Sequence, residues 1–420
     1  MRLVISFAAL FLSTYLVQLG SGSLGPLDAL SGALLGWSTA EIGLLGSAHF
    51  AGFFLGCWAM PRLIGSVGHS RAFAAAAALG AIGVILHPVV QGPLVWAGLR
   101  FLSGISIAGA YTAVESWLQA KIESRTRGRV FGIYRLVDLS GAICAQSLIA
   151  VLEPAAYASY NIVAVFCCAS LVPLMLSRQV PPVVAHAPRL RPLKAWAVSP
   201  LACFAIVTAG STGSSFRMIG PVFGIEYELS QDQIALFLIA SVIGAALAQF
   251  PVGWLADTVD RRKVMIGLSI CAMAVSLTVV FVLRPGDALG LVLASAAFGA
   301  TSITVYSVAA AHANDFCPPG FVVELNAALI LFYSVGAVAA PLTSAWLIEL
   351  WGANALFGFI AAAHLVLIAF SLYRMTRRKA GTPTTPYRYL PRTSMVLARL
   401  FRRANGAGAS AAPAREETGQ

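Results

Sequence analysis

Charged side chains are scarce in this sequence. They make up 11% of its 420 residues, where a soluble globular chain carries roughly 25%. A chain so poor in charge cannot cover a water-facing surface, and at 58% hydrophobic it has to expose apolar side chains to lipid. The alternating segments of about 10 residues that build a membrane β-barrel are missing too. The apolar runs extend for about 20 residues or more, the length of a spanning helix. Cysteine is sparse: Cys57, Cys144, Cys167, Cys168, Cys203, Cys271 and Cys317 fall in expected helices or at their inner ends. With no metal-ligand spacing and no disulfide framework, they read as small packing residues. No GxxxxGK[ST] loop is found, so the chain is not expected to hydrolyse ATP itself. No Ser/His/Asp set, metal cluster or dinucleotide fingerprint stands out, so neither an enzyme nor a cofactor is expected. The run after Met1-Arg2 is too long for a signal peptide and has no clear cleavage site, so it is read as a first spanning helix.

What is present is a series of apolar runs punctuated by Gly, Pro and charge. They define twelve expected spans, near 4–29, 42–64, 72–91, 94–120, 129–152, 156–177, 198–224, 232–256, 263–283, 288–313, 323–348 and 354–375. Lys and Arg collect in the loops after even-numbered spans: Arg62 and Arg71; Lys121, Arg125, Arg127 and Arg129; Arg178, Arg189, Arg191 and Lys194; Arg261, Arg262 and Lys263. Loops after odd-numbered spans carry only Arg284. The positive-inside rule then makes those basic loops and both termini cytoplasmic. The net charge of +11 is therefore topological, and a nucleic-acid partner is not needed to explain it. The Pro-rich basic stretch around 179–197 reads as a linker between a first six-helix bundle, 1–178, and a second, 198–376. The tail, 377–420, is basic and then Ala/Gly-rich and is expected to be disordered. Its stretch 393–404 suits either a membrane-surface helix or a solvated tail.

The halves repeat at an offset of 192 to 195 residues. Gly25-Pro26 matches Gly220-Pro221, and the capping box Ser38–Glu41 matches Ser230–Gln233. Arg71 matches Lys263, Gly104 and Tyr111 match Gly299 and Tyr306, and Gly141-Ala142 matches Gly336-Ala337. Two parallel repeats with a binding site at their interface is an architecture of secondary transporters. The stretch GWLADTVDRRKV, 253–264, resembles the signature cytoplasmic loop of the major facilitator superfamily through Gly253, Asp257, Arg261 and Arg262, while Thr258 and Asp260 depart from it. RFLSGISIAGA, 100–110, resembles that superfamily's helix-4 motif. VESWL at 114–118, RGR at 127–129, QFPVGWLAD at 249–257 and ELNAALILFYSVGAVAAP at 324–341 are similar to its YcaD-type branch.

The resemblance implies an all-α fold of two six-helix bundles, a multi-pass inner-membrane location and a conformational latch. In that latch Asp257 would meet the exposed N–H groups of a neighbouring helix start, while Arg261 and Arg262 would pair with carboxylates or lipid phosphates. A plain topological anchor is the alternative for the arginines. The first-half loop has Gly65 where Asp257 would be.

Ionisable residues inside spans are costly and usually paired or functional. Arg100, Glu115, Arg135, Asp138 and Arg217 qualify, with His49, His312 and His364 as weaker cases. Helical spacing puts Arg100, Gly104, Ala108, Tyr111 and Glu115 on one stripe. Glu115 and Arg135 fall at similar depth across the hairpin between spans four and five, with Asp138 one turn away. That trio is either a packing ion pair or, having one carboxylate in excess, a proton site; Arg100 carries the same ambiguity. Arg217 sits in a run of small and hydroxyl residues, facing either an anionic substrate or Glu226 and Glu228. Tyr111 and Tyr306, related by the repeat, are expected to line the central cavity. The expectation is a monomeric secondary transporter of a small organic solute, proton-coupled and in contact with lipid, with export favoured. The antiporter-type Gly-Pro run is not found in span five, which weakens drug/proton antiport. A transporter-like sensor or assembly partner that moves nothing is the alternative.

Overall fold

The computed structural model describes residues 2–122, 127–177 and 190–377, and among them every regular element is helical. The elements are α1 (Arg2–Leu34), α2 (Thr39–Val67), α3 (His69–Leu86), α4 (Pro93–Lys121), α5 (Arg127–Leu148), α6 (Tyr157–Ala169), α7 (Leu171–Leu176), α8 (Pro192–Val198), α9 (Pro200–Glu226), α10 (Gln231–Thr258), α11 (Arg261–Phe281), α12 (Ala288–Phe298), α13 (Val305–Asp315), α14 (Val322–Trp351) and α15 (Ala355–Arg377). A π-turn, Gly299–Ile303, joins α12 to α13 in one broken span. The expected sixth span is α6 and α7, divided at Ser170.

Among the described residues, ten helices are long and apolar enough to cross a membrane, and an eleventh if the sharply bent pair α8–α9 is one span. The remaining expected span is α5, which is 22 residues long and carries Arg129, Arg135 and Asp138. The expected tail from 378 onward and the linker stretch 178–189 lie outside the described residues. At the end of the linker α8 is helical and buries Ala195.

Local signals in the sequence account for the helix ends. Both expected capping boxes form: Ser38 N–H donates to Glu41 Oε2 at 2.8 Å, and Ser230 N–H to Gln233 Oε1 at 2.9 Å. Each box satisfies two otherwise orphaned backbone donors. Asp260 accepts from the Arg262 amide at 3.0 Å and caps α11. Pro26 has no N–H for the carbonyl of Gly22, four residues back. Gln146 of α5 donates to that carbonyl instead, at 3.2 Å.

Lipid tails are as apolar as leucine, so association of spans depends on close packing rather than on expelling water. The repeat shows in where the closest crossings fall. A Cβ on Gly52 of α2 would lie 1.9 Å from the Phe101 carbonyl oxygen of α4. A Cβ on Gly244 of α10 would lie 1.9 Å from that of Ala296 in α12. Gly104 meets the His49 carbonyl, and Gly299 meets that of Ser241, in the same reciprocal way. Backbone touches backbone at these four glycines, and a Cβ at any of them would force the helices to shift.

The two bundles meet along α2 and α14 and, at the end away from the basic loops, across α5 and α10. There the Ala40 N–H donates to Glu349 Oε1 at 2.8 Å. Gln231 Nε2 donates to the carbonyls of Ile149 and Leu152 at 2.5 and 2.7 Å. A Cβ on Gly43 would lie 2.6 Å from the Ala345 Cβ. One apolar cluster, including Leu24, Leu45, Met218, Val222 and Ala345, runs across both bundles at this end.

Candidate functional site

Inside the first bundle, toward the sealed end, four helices converge on one carboxylate. Asp28 of α1 is fully buried. Its Oδ1 accepts from the Tyr160 hydroxyl of α6 at 3.0 Å. Its Oδ2 lies 3.5 Å from Arg100 Nε of α4 and 3.5 Å from His87 Nε2 at the end of α3. Arg100 is 4% exposed, and the bare Cα of Gly25 leaves room for its Nη2. His87 Nδ1 lies 2.7 Å from the Gly83 carbonyl, which makes it the N–H tautomer and aims Nε2 at Asp28. Asp28 Oδ2, His87 Nε2 and Arg100 Nε and Nη1 have no hydrogen-bond partner among the described protein atoms. Four such groups gathered at one buried place are exceptional.

Across the seam stands Arg217 of α9. It is exposed while Phe216 and Met218 on either side are buried. Its charge acts on Arg100 and on His49 of α2, and His49 Nδ1 lies 3.0 Å from Ser103 Oγ. Pro221 leaves the Arg217 carbonyl without its helical donor. Arg217 is thus within electrostatic reach of Arg100 and His49 of the first bundle.

A second polar group lies nearer the basic end of the same bundle. Arg135 Nη1 pairs with Asp138 Oδ2 at 2.9 Å. The Tyr111 hydroxyl contacts both Asp138 Oδ1, at 2.5 Å, and Gln18 Oε1 of α1. One phenolic proton cannot serve two acceptors, so either Asp138 carries a proton or Gln18 turns its amide NH2 toward the tyrosine. Glu115, 1% exposed, accepts from the Tyr134 hydroxyl at 3.0 Å. The expected trio of Glu115, Arg135 and Asp138 is thus one neighbourhood, with Tyr111 and Tyr134 inside it. Tyr111 bridges α1, α4 and α5, and Tyr306 lies edge-on to Tyr333 with ring centres 5.7 Å apart, buried in the second bundle.

In the signature loop, Gly253 is buried in α10. Arg261, 2% exposed, bridges Asp257 Oδ1 at 3.2 Å and Asp315 Oδ1 of α13 at 2.7 Å. Arg262 holds Asp260 through Nη2 at 2.7 Å. Burial by itself would raise the Asp260 carboxyl, but the hydrogen bonds from Arg262 outweigh it and bring the group below the usual aspartate range. Asp257, Arg261 and Asp315 thus tie α10, α11 and α13 together within the second bundle.

Sequence reasoning missed Asp28, His87 and Tyr160. The signal was there: LDALSGALL runs on from Pro26 without a break until Gly36, whose φ of 76° closes the helix. An end placed at residue 29 put Asp28 at a membrane boundary, five residues too early.

The Major Facilitator Superfamily model matches residues 201–409. An uncharacterized MFS-type transporter of Enterobacter sp. (strain 638) is 28% identical over 352 residues, 83% of this chain and 89% of that protein. The uncharacterized MFS-type transporter YcaD of Salmonella newport (strain SL254) is 26% identical over 356 residues, 84% of this chain and 90% of that one. Among solved structures, the nucleoside transporter NupG has the same fold, with a TM-score of 0.73 at 16% identity over 90% of this chain and all of NupG. A bacterial homolog of the human lysosomal transporter Spinster, in an inward-facing and unoccupied conformation, has a TM-score of 0.69 at 12% identity, over 89% of this chain and 95% of the other.

Proposed function

Because the chain belongs to the major facilitator superfamily and is a multi-pass inner-membrane protein, we propose that it is a secondary transporter that carries a small organic solute, coupled to protons, through the space between bundles 1–178 and 198–376. The observation that carries this reading is the Asp28–Arg100–His87 cluster, buried and incompletely hydrogen-bonded, with Arg217 of the second bundle within electrostatic reach of Arg100. Asp28 Oδ2 lies 3.5 Å from Arg100 Nε, its cation, and 3.5 Å from His87 Nε2. A proton on Asp28 cancels its charge and leaves the Arg100 guanidinium without the carboxylate beside it. An anionic group on the solute then restores the balance, so that proton uptake and solute binding favour one another. Asp138, sharing a proton with Tyr111, is a second place for a coupling proton.

The basic end is cytoplasmic on the positive-inside rule, so this conformer is closed toward the outside. The latch made by Gly253, Asp257, Arg261 and Arg262 acts when the bundles rock and the ends of α10 and α11 change neighbours.

Purified protein in proteoliposomes, given a panel of organic anions and neutral solutes with a pH dye inside, tests the reading. Solute movement should change internal pH, and Asp28→Asn should abolish that change while solute still binds. Co-transport, which follows where proton and solute favour one another, makes the compartment the solute leaves alkaline; exchange for protons acidifies it. No solute movement at all sinks the transporter reading, and movement with unchanged proton flux in Asp28→Asn removes Asp28 from it.

A further inference from the structure

The last stretch of the linker docks on the second bundle in a way that the transport reading leaves without a role. Leu190 packs against the apolar cluster of Cys57, Ala108, Ala327 and Ile330, the last two on α14. α8 follows and bends 114° away from α9, so it runs across that span rather than along it. Its side chains divide into three faces at helical spacing. Ala195 is fully buried. Leu193 and Trp196, three apart, are 86% and 40% exposed. Arg191, at the N-cap position, and Lys194 are also three apart, and both are exposed on roughly the opposite side.

These side chains splay along the axis of α14. The Lys194 ammonium lies 4.4 Å from the centre of the Phe321 ring, just before α14 begins. Trp196 reaches the other way and meets Phe332, ring centres 6.0 Å apart. Phe332 lies about 16 Å further along the span than Phe321, at about 1.5 Å per residue. α14 has 30 residues. That is about 45 Å of helix, where the hydrocarbon core is about 30 Å thick. Shared between the two ends, the excess leaves about 7 Å, or the first five residues or so, in the headgroup layer. The contacts of Leu190 with Ala327 and Ile330 then set the docked stretch at the boundary between headgroups and acyl chains. Lys194 is turned to the headgroup side and Trp196 to the chain side, the habit of residues at a membrane interface.

We propose that α8 is an interfacial helix that docks into the phospholipid leaflet at the basic end of the molecule. Leu193 and Trp196 enter the acyl boundary, while Arg191 and Lys194 sit among the phosphates. The occupant of the exposed face is lipid rather than a further protein, because that face continues a lipid-facing one. Val335, Leu342 and Trp346 of α14 are exposed along one stripe of that span, and Phe332, which Trp196 meets, is the next position of the same stripe. Burial of Leu193 and Trp196 in the leaflet fastens the end of the linker to the second bundle and the bilayer together. The linker end then travels with that bundle when the halves rock.

The test is tryptophan quenching of the full-length protein in phospholipid nanodiscs. The difference in emission between wild type and Trp196→Phe isolates one of the eight tryptophans. Phosphatidylcholine brominated at shallow acyl carbons should quench that difference several times more than phosphatidylcholine brominated near the chain ends. Aqueous iodide should quench it little. Leu193→Asp should lose most of the shallow quenching, while its thermal midpoint in detergent matches wild type, because so exposed a side chain braces no other helix. The pattern at Trp196 is read whether or not Leu193→Asp inserts. Strong iodide quenching with none from bromine makes α8 a solvated linker and overturns the proposal. Shielding from both quenchers means that protein covers the face, and quenching strongest at the chain ends puts it inside the span; either result equally overturns it. So does shallow quenching that Leu193→Asp leaves unchanged.

Discussion

The two bundles share a backbone plan and differ in what they bury. In the first, Asp28 of α1 bonds Tyr160 of α6, with Arg100 and His87 closing around it. Residue 28 plus the repeat offset of 195 is Phe223 in α9, and there Phe223 meets Phe357 of α15 edge-on, ring centres 5.0 Å apart. Phe216, Phe237 and Phe298 complete an aromatic core where the first bundle has charge. The second bundle keeps its ion pairs, Arg261 with Asp257 and Asp315, at the basic end. The glycine crossings match residue for residue, so the difference is not one of scaffold. At this point of the repeat one half packs rings, and the other places a carboxylate, a guanidinium and an imidazole together.

The comparison is broken most severely by Arg100→Ala. It leaves Asp28 charged and buried without its cation, at a cost of about 3–5 kcal/mol. Folded yield and the midpoint of thermal unfolding in detergent should both fall sharply. Adding Asp28→Asn should recover most of the loss, since it removes the stranded charge. The matching change in the second bundle, Ser295→Ala, removes one hydrogen bond to the Phe237 carbonyl and should cost only about 1 kcal/mol.

The shared scaffold is tested next. Gly52→Ala and Gly244→Ala each push a methyl group into a carbonyl oxygen, and each should cost about 1–3 kcal/mol. The two losses should agree within experimental error. A large loss in one bundle beside none in the other would mean that the crossings are not equivalent.

Asp257→Asn separates stability from switching. Arg261 keeps Asp315, so the protein should insert with a midpoint lowered by at most a few degrees. Solute flux should fall several-fold, because the ends of α10 and α11 lose a contact they exchange during rocking. Wild-type flux in this variant would reduce the loop to a topological anchor.

The smallest effect is that of pH on the loop. The Asp260 carboxyl is held below its usual range, so its contribution is fully present above the ordinary aspartate pKa, about 3.9. That contribution is lost as pH falls through the lower, folded-state value. The midpoint of wild type should drop slightly more than that of Asp260→Asn between pH 5 and pH 3 on the order of a degree or two. Equal slopes would mean that Arg262 does not hold the charged form.

Much of this molecule was legible because its signals are local. Charge scarcity and run length are properties of short windows, and they named a bundle of spanning helices. Both capping boxes lie within four residues, and both form as read. Arg135 and Asp138 are three apart on one helix, and they pair. The repeat was visible as matched glycines before their role as crossing points was known, because only glycine lets two backbones touch and no substitute can hide the signal.

The groups that make the candidate site were harder to read. Asp28, His87, Arg100 and Tyr160 come from α1, α3, α4 and α6, and nothing within any one of those helices announces the other three. A buried carboxylate is held by charges and donors arriving from separate elements. Its position in a span says only that partners must exist, and packing decides which they are. By itself the sequence determined the membrane class, the doubled helical plan, the basic end and the helix caps, since each depends on composition or on neighbours a turn apart. Tertiary structure alone decided that Asp28 is the carboxylate beside Arg100 and His87, that Arg217 comes within electrostatic reach of Arg100, and that aromatic rings take the place of Asp28 in the other half, because each of those outcomes is set by contacts between helices far apart in the chain.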